Sequence, residues 1–209
     1  MKKYFPHILI ILHTVGVVGL QTEYKDWFLA LTPVNLIITY VIALLSVEKK
    51  LDVKFWIVFA LAFVVGFGAE WIGVHTGYLF GDYEYGEGLG PKWLDIPLAI
   101  GMNWALLILV TRSLANRWVK NEWGQTFIAS ILMVVLDLWM EPVAPTLDYW
   151  EFVGGVAPMK NYLGWFVVSF FIHAIASFLG ASKWKCGMDK VIYIVQSIFF
   201  IILAIASFL

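Results

Sequence analysis

Residues 53–74 read VKFWIVFALAFVVGFGAEWIGV, and this run decides the fold. At about 1.5 Å per helical residue it covers the roughly 30 Å hydrocarbon core of a bilayer. Only Lys54 near its start and Glu70 near its end carry charge. A soluble amphipathic helix keeps one polar face, and none is visible here. The strict two-residue alternation of a membrane barrel strand is also missing. The reading is a membrane-spanning helix.

Six more windows have this character: 5–20, 28–46, 94–114, 125–141, 162–180 and 191–209. Short connections join them. The expectation is an all-α polytopic membrane bundle of about seven helices, a single domain over residues 1–209. The first window follows Met1-Lys2-Lys3 and has the outline of a signal peptide. No A-x-A-like site closes it, and the run leaves through Gly19-Leu20-Gln21-Thr22-Glu23. It reads as an uncleaved first span, with a signal peptide as the alternative.

Composition agrees with the windows. The chain has 209 residues, 61% hydrophobic and 14% charged, with mean hydropathy +0.83. Soluble domains carry about 25% charged residues. A net charge of −1 excludes an electrostatic nucleic-acid binder. The lone Cys186 excludes an internal disulfide framework and a multi-cysteine metal site. Eleven Trp, nine Tyr and sixteen Phe exceed what interfacial belts need.

Basic residues assign the sides. Lys2, Lys3, Lys49, Lys50, Lys54, Arg112, Arg117, Lys120, Lys183, Lys185 and Lys190 fall on one side, and Lys25, Lys92 and Lys160 on the other. This split, 11 against 3 of the 14 Lys and Arg, predicts a cytoplasmic N-terminus, an external C-terminus and a multi-pass protein of the cell membrane.

Ionisable groups inside spans cost about 2.5–3.5 kcal/mol each on insertion scales. Here they gather toward the less basic side. Glu70 and His75 close span three, Asp95 opens span four with Asn103 deeper, and Asp137 and Glu141 close span five. The i, i+4 spacing of Asp137 and Glu141 puts both carboxyls on one helix face, opposite Trp139. On span six Asn161, Trp165, Ser169, His173 and Ser177 recur every four residues as one polar and aromatic stripe. No Lys or Arg stands at mid-span beside the carboxyls. A carboxyl taken from water without a cation favours its neutral form and can donate a proton. Plainer readings exist for some of these groups. Asp95 and Glu141 fit solvated helix ends, Asn35 and Asn103 fit interhelical hydrogen bonding, and Trp93 and Trp150 fit interfacial anchors. Gly66, Gly73 and Gly77 suggest close helix packing.

Several chemistries lack their residues. The four histidines, His7, His13, His75 and His173, form no di-iron box. The last span has no lysine for a retinal Schiff base, and no phosphate-binding glycine loop is present. A divalent metal on Glu70, His75, Asp137 and Glu141 stays a minor option.

Three stretches are distinctive together. One runs Glu70-Trp71-Ile72-Gly73-Val74-His75-Thr76-Gly77, Phe80-Gly81-Asp82-Tyr83-Glu84-Tyr85, Leu89-Gly90-Pro91, Ile96-Pro97 and Trp104. The others are Asp137-Leu138-Trp139-Met140-Glu141-Pro142-Val143-Ala144 and Asn161-Tyr162-Leu163-Gly164-Trp165. They resemble the integral-membrane carotenoid-biosynthesis family that contains the carotenoid 1′,2′-hydratases. The resemblance runs from Glu70 to Trp165. It implies addition of water across the terminal C1′=C2′ bond of a linear ψ-end carotenoid, giving a tertiary alcohol. It implies no redox cofactor. The partners would be the carotenoid and membrane lipid, with contacts to other enzymes of the pathway open.

Such chemistry needs an acid to protonate C2′, aromatic faces for the cation at C1′, and a base to direct water. Asp137 or Glu70 is expected as the acid, with the other positioning water alongside Glu141. Asn103 and His75 are expected to orient the carboxyls. Trp71, Tyr83, Tyr85, Trp104 and Trp165 are the candidate aromatic walls. A carotenoid cyclase would use the same cation. A non-catalytic carotenoid- or lipid-binding protein is the reading from another class.

Overall fold

A computed structural model describes residues 2–48, 51–181 and 184–207. Lys49, Lys50, Lys183 and the last two residues of the final window lie outside the described residues. The architecture is a bundle of α-helices: α1 (Phe5–Gly19), α2 (Lys25–Ala30), α3 (Thr32–Leu45), α4 (Val53–Thr76), α5 (Leu98–Trp118), α6 (Glu122–Met140), α7 (Met159–Phe178) and α8 (Asp189–Ser207). Helices α2 and α3 run on from one another through Leu31 and form one span of 21 residues. Counting them together, six helices are long and apolar enough to cross a membrane. Helix α1 has 15 residues, about 22 Å of rise, short of a full crossing.

Helix α5 is the axis of the bundle. Fifteen of its 21 residues are buried, and α3, α4, α6, α7 and α8 all pack on it. Outer helices bury a single stripe. On α8 that stripe is Asp189, Ile192, Gln196, Phe199 and Leu203, the three-and-four spacing of one helix face. Its other face stays apolar, with Ile194, Ile198, Ile202 and Ile205 exposed. Both faces are apolar because one meets protein and the other suits lipid, so the sequence shows little amphipathic contrast.

Lipid tails are as apolar as leucine, so helix association relies on close packing and polar contacts. A Cβ on Gly66 of α4 would stand 2.2 Å from Cγ of Trp104 on α5. One on Gly73 would stand 2.6 Å from the Phe80 ring. These two glycines are the close-packing positions expected of them. Gly77 differs: at φ 62 it ends α4 in the left-handed conformation, where a Cβ would also strike Asp82.

The expectation of short connections fails at one end of the bundle, where two long ones meet, from α4 to α5 and from α6 to α7. Strand β1 (Tyr83–Tyr85), after α4, pairs antiparallel with β4 (Trp150–Phe152), after α6. Alternation along β1 buries Tyr83 and Tyr85 and exposes Glu84. Strands β2 (Lys92–Trp93) and β3 (Ile96–Pro97) form a hairpin whose turn residues Leu94 and Asp95 both have positive φ. This corrects the window that began at residue 94: the helix starts at Leu98, and Asp95 is an exposed turn residue.

The opposite end carries Lys54, Arg117, Lys120, Lys185 and Lys190. There Arg117 Nε donates to Asp189 Oδ2 at 2.8 Å. Arg112 is a further correction. It lies inside α5, 2% exposed, with Nη1 donating to Thr126 Oγ1 and Nη2 to Gln125 Oε1. A cation therefore does stand within the bundle, away from the acidic cluster.

Candidate functional site

Glu70 is 3% exposed on α4. Strand β1 folds back over this helix and delivers two phenols to one carboxyl oxygen. Tyr83 donates to Glu70 Oε2 at 2.5 Å and Tyr85 donates to it at 2.8 Å. Trp104 Nε1 on α5 donates to the other oxygen at 3.0 Å. Three donors on one carboxyl fix its position and orientation.

Asp137 is fully buried on α6. Asn161 Nδ2 on α7 donates to Asp137 Oδ2 and to Glu141 Oε1, 2.8 Å in each case. One amide thus clamps the two carboxyls of the i, i+4 pair. Trp150 Nε1, from β4, donates to Glu141 Oε2 at 3.2 Å. Asp137 Oδ1 receives no N–H or hydroxyl donor among the described residues, and the Asp137 and Glu141 carboxyls lie within hydrogen-bonding reach of each other. Glu70 lies near enough to act electrostatically on both Asp137 and Glu141. Burial pushes the Glu141 carboxyl, just past the end of α6, up to about 7. It also holds the Tyr83 and Tyr85 phenols well above their usual range, with the Glu70 charge adding to the effect. Both therefore remain donors. Trp104 stacks on Trp165 with ring centroids 4.4 Å apart and planes 19° apart.

Seven of the expected site residues therefore form one cluster: Glu70, Tyr83, Tyr85, Trp104, Asp137, Glu141 and Trp165. Three do not join it. Trp71 and His75 follow Glu70 by one and five positions, about 100° and 140° round the helix. Both are exposed, with rings 5.0 Å apart. His75 Nε2 instead reaches Asp95 Oδ2 at 3.3 Å. Asn103 precedes Trp104 and lines a separate chamber of about 210 Å³ bounded by α1, α3, α5, α6 and α8. The metal option loses its histidine with His75. Among the described residues no group of three or more His, Cys, Asp or Glu side chains could hold a metal ion.

Sequence reasoning missed two functional contacts. In the sequence Asn161 stands only as the start of a distinctive stretch and of the five-residue stripe, all of which is buried or half-buried on α7. Lower on that stripe, Ser177 meets Thr126 at 2.9 Å and His173 Nε2 meets Thr111 Oγ1 at 3.3 Å. Trp150 had the profile of an interfacial anchor. No local signal announces that its indole reaches Glu141.

The carotenoid biosynthesis protein family matches residues 31–209 of this chain. A curated relative, the bisanhydrobacterioruberin hydratase of Haloarcula japonica, is 29% identical over 109 residues, covering 47% of this chain and 36% of the relative. The match spans little more than a third of that protein's length. No solved structure matches the chain.

Proposed function

The chain belongs to the carotenoid biosynthesis protein family, and from that premise we propose that it is a carotenoid hydratase. The reaction adds water across the terminal C1′=C2′ bond of a linear ψ-end carotenoid and leaves a tertiary 1′-hydroxyl. The observation that carries this reading is the state of Asp137. Its carboxyl is fully buried, one oxygen is held by Asn161, and the Glu141 carboxyl lies within hydrogen-bonding reach of it. Two carboxyls this close favour one shared proton, and that proton is the one offered to carbon.

The roles divide among the three carboxyls. Asp137 gives its proton to C2′, and the positive charge appears at C1′. Glu70, fixed by three donors, presents preorganised carboxyl oxygens toward that cation. The Trp104–Trp165 pair supplies aromatic faces, worth about 2 kcal/mol or more to a desolvated cation. Water adds to C1′ and Glu141 takes the released proton. The Asn161 amide spans Glu141 and Asp137, so the proton returns to Asp137 over a short path. The sum is one water added, with no change of oxidation state overall.

Expression in a host that accumulates linear ψ-end carotenoids tests the reading. The expected pigment is heavier by one water and carries a tertiary hydroxyl. A product of unchanged mass with a ring at its end would instead assign cyclisation. Unchanged pigment would remove the catalytic reading.

The pH profile carries a sign. Glu141 must be ionised to take a proton, and its carboxyl titrates near 7. The hydration rate should rise as pH increases through about 7, and fall about tenfold per unit below it. Glu141→Gln should lower the rate and flatten this limb. A parental profile that falls on going from pH 6 to 8 would contradict the role.

The same proposal places the carboxyl cluster on the outer side of the cell membrane, since the basic residues mark the other face as cytoplasmic. A reporter fused at the C-terminus should be active only when exported. Activity confined to the cytoplasm would reverse the assignment.

A further inference from the structure

The chamber between α1, α3, α5, α6 and α8 is walled mainly by hydrocarbon, including Leu12, Leu36, Ile100, Phe199 and Phe200. Several polar side chains also line it, among them His13, Thr39, Asn103 and Tyr149, and two of its side-chain oxygens lack a donor. They are Asn35 Oδ1 on α3 and Gln196 Oε1 on α8, both buried and neither reached by a donor among the described residues. Gln196 is 8% exposed. A buried acceptor without a donor is destabilising. Both orphans are carbonyl oxygens, so the group that satisfies them brings O–H or N–H. In a lipid-bounded chamber of this size, water or an alcohol on an apolar chain meets that requirement.

This chamber shares the α5–α6 seam with the carboxyl cluster. Leu136 and Met140 line it, each next to a carboxyl residue, Asp137 or Glu141, on α6. Asn103 lines it beside Trp104 on α5. Trp150 joins the two spaces directly, lining the chamber while its Nε1 donates to Glu141.

We infer that Asn35 and Gln196 hold the water that adds to the substrate, and afterwards the tertiary hydroxyl of the product. This rests on the hydratase reading and deepens it by giving the nucleophile a place. With the polyene end at the seam, Asp137 transfers its proton to C2′ from the cluster side. Water held on the chamber side forms the C–O bond at C1′. One of its O–H bonds breaks, and Glu141, anchored by Trp150, receives that proton. Asn35 and Gln196 are positioning residues for water and exchange no proton themselves.

Deuterium separates proton transfer from water capture. In D₂O, protonation at C2′ followed by proton loss returns the alkene carrying deuterium, whereas capture by water gives the alcohol. The measured quantity is the ratio of hydrated product to deuterium-exchanged substrate, using membranes loaded with a linear ψ-end carotenoid. Asn35→Leu combined with Gln196→Leu should lower this ratio at least about tenfold, the worth of one or two hydrogen bonds to the water, while exchange continues. Each single substitution should lower it part of the way, which keeps the test intact if the double variant misfolds. Asn35→Asp and Gln196→Glu retain an acceptor oxygen and should hold the parental ratio. An unchanged ratio in folded Leu variants would overturn the inference and leave the hydratase reading standing. A parental protein that neither hydrates nor exchanges would overturn both.

Discussion

Asp137→Asn should slow formation of the hydroxylated carotenoid about 10³- to 10⁴-fold, the upper range for losing a general acid. The substitution keeps the size of the side chain and its carbonyl acceptor for Asn161 Nδ2, the 2.8 Å contact that holds Asp137 Oδ2. It removes the proton that the buried carboxyl can offer. Glu70 is engaged by three donors, and Tyr83 and Tyr85 hold their protons firmly. Deuterium exchange at C2′ should disappear together with hydration, because both begin with the same proton transfer. Glu70→Gln should cost less, since it alters a nearby carboxyl and leaves the acid in place. If Asp137→Asn, folded in the membrane, hydrates at near-parental rates, Asp137 is not the acid.

Gly66→Ala should be the most damaging small substitution in the bundle. The new methyl would lie 2.2 Å from Trp104 Cγ and 2.5 Å from its Cβ. These atoms sit next to the α5 backbone, so no rotation of a distal group relieves the contact. Helices α4 and α5 must separate, or Trp104 must leave its rotamer. Overpacking of this kind costs about 1–3 kcal/mol, and the upper end is expected because Trp104 is fully buried. Moving Trp104 also breaks its bond to Glu70 and its stack on Trp165. The apparent Tm in detergent should fall by roughly 5 °C or more, and activity should fall with it. Gly68→Ala is the internal control, since nothing lies within 4 Å of its added Cβ. Equal stability of the two variants would refute the packing argument.

The sequence by itself determined that this chain is a membrane helical bundle, because long uncharged apolar runs have few other stable solutions in water or lipid. It also identified Asp137 and Glu141 as a pair, because i, i+4 spacing fixes a shared helix face. Burial of the span-six stripe followed from the same periodicity. The length of α1, the hairpin at Leu94–Asp95 and the burial of Arg112 were not legible, because each depends on contacts between segments distant in sequence. The tertiary structure alone decided how each carboxyl is held. Nothing near Glu70 in the sequence shows that β1 folds back to place two phenols on its carboxyl, or that α5 adds an indole. Likewise, only the packing of α7 on α6 brings Asn161 to both Asp137 and Glu141. Trp71 and His75 stand beside Glu70 in the chain yet point elsewhere. Helical rotation separates residues adjacent in sequence, and the bundle joins side chains from α4, α5, α6, α7 and two loops at one depth.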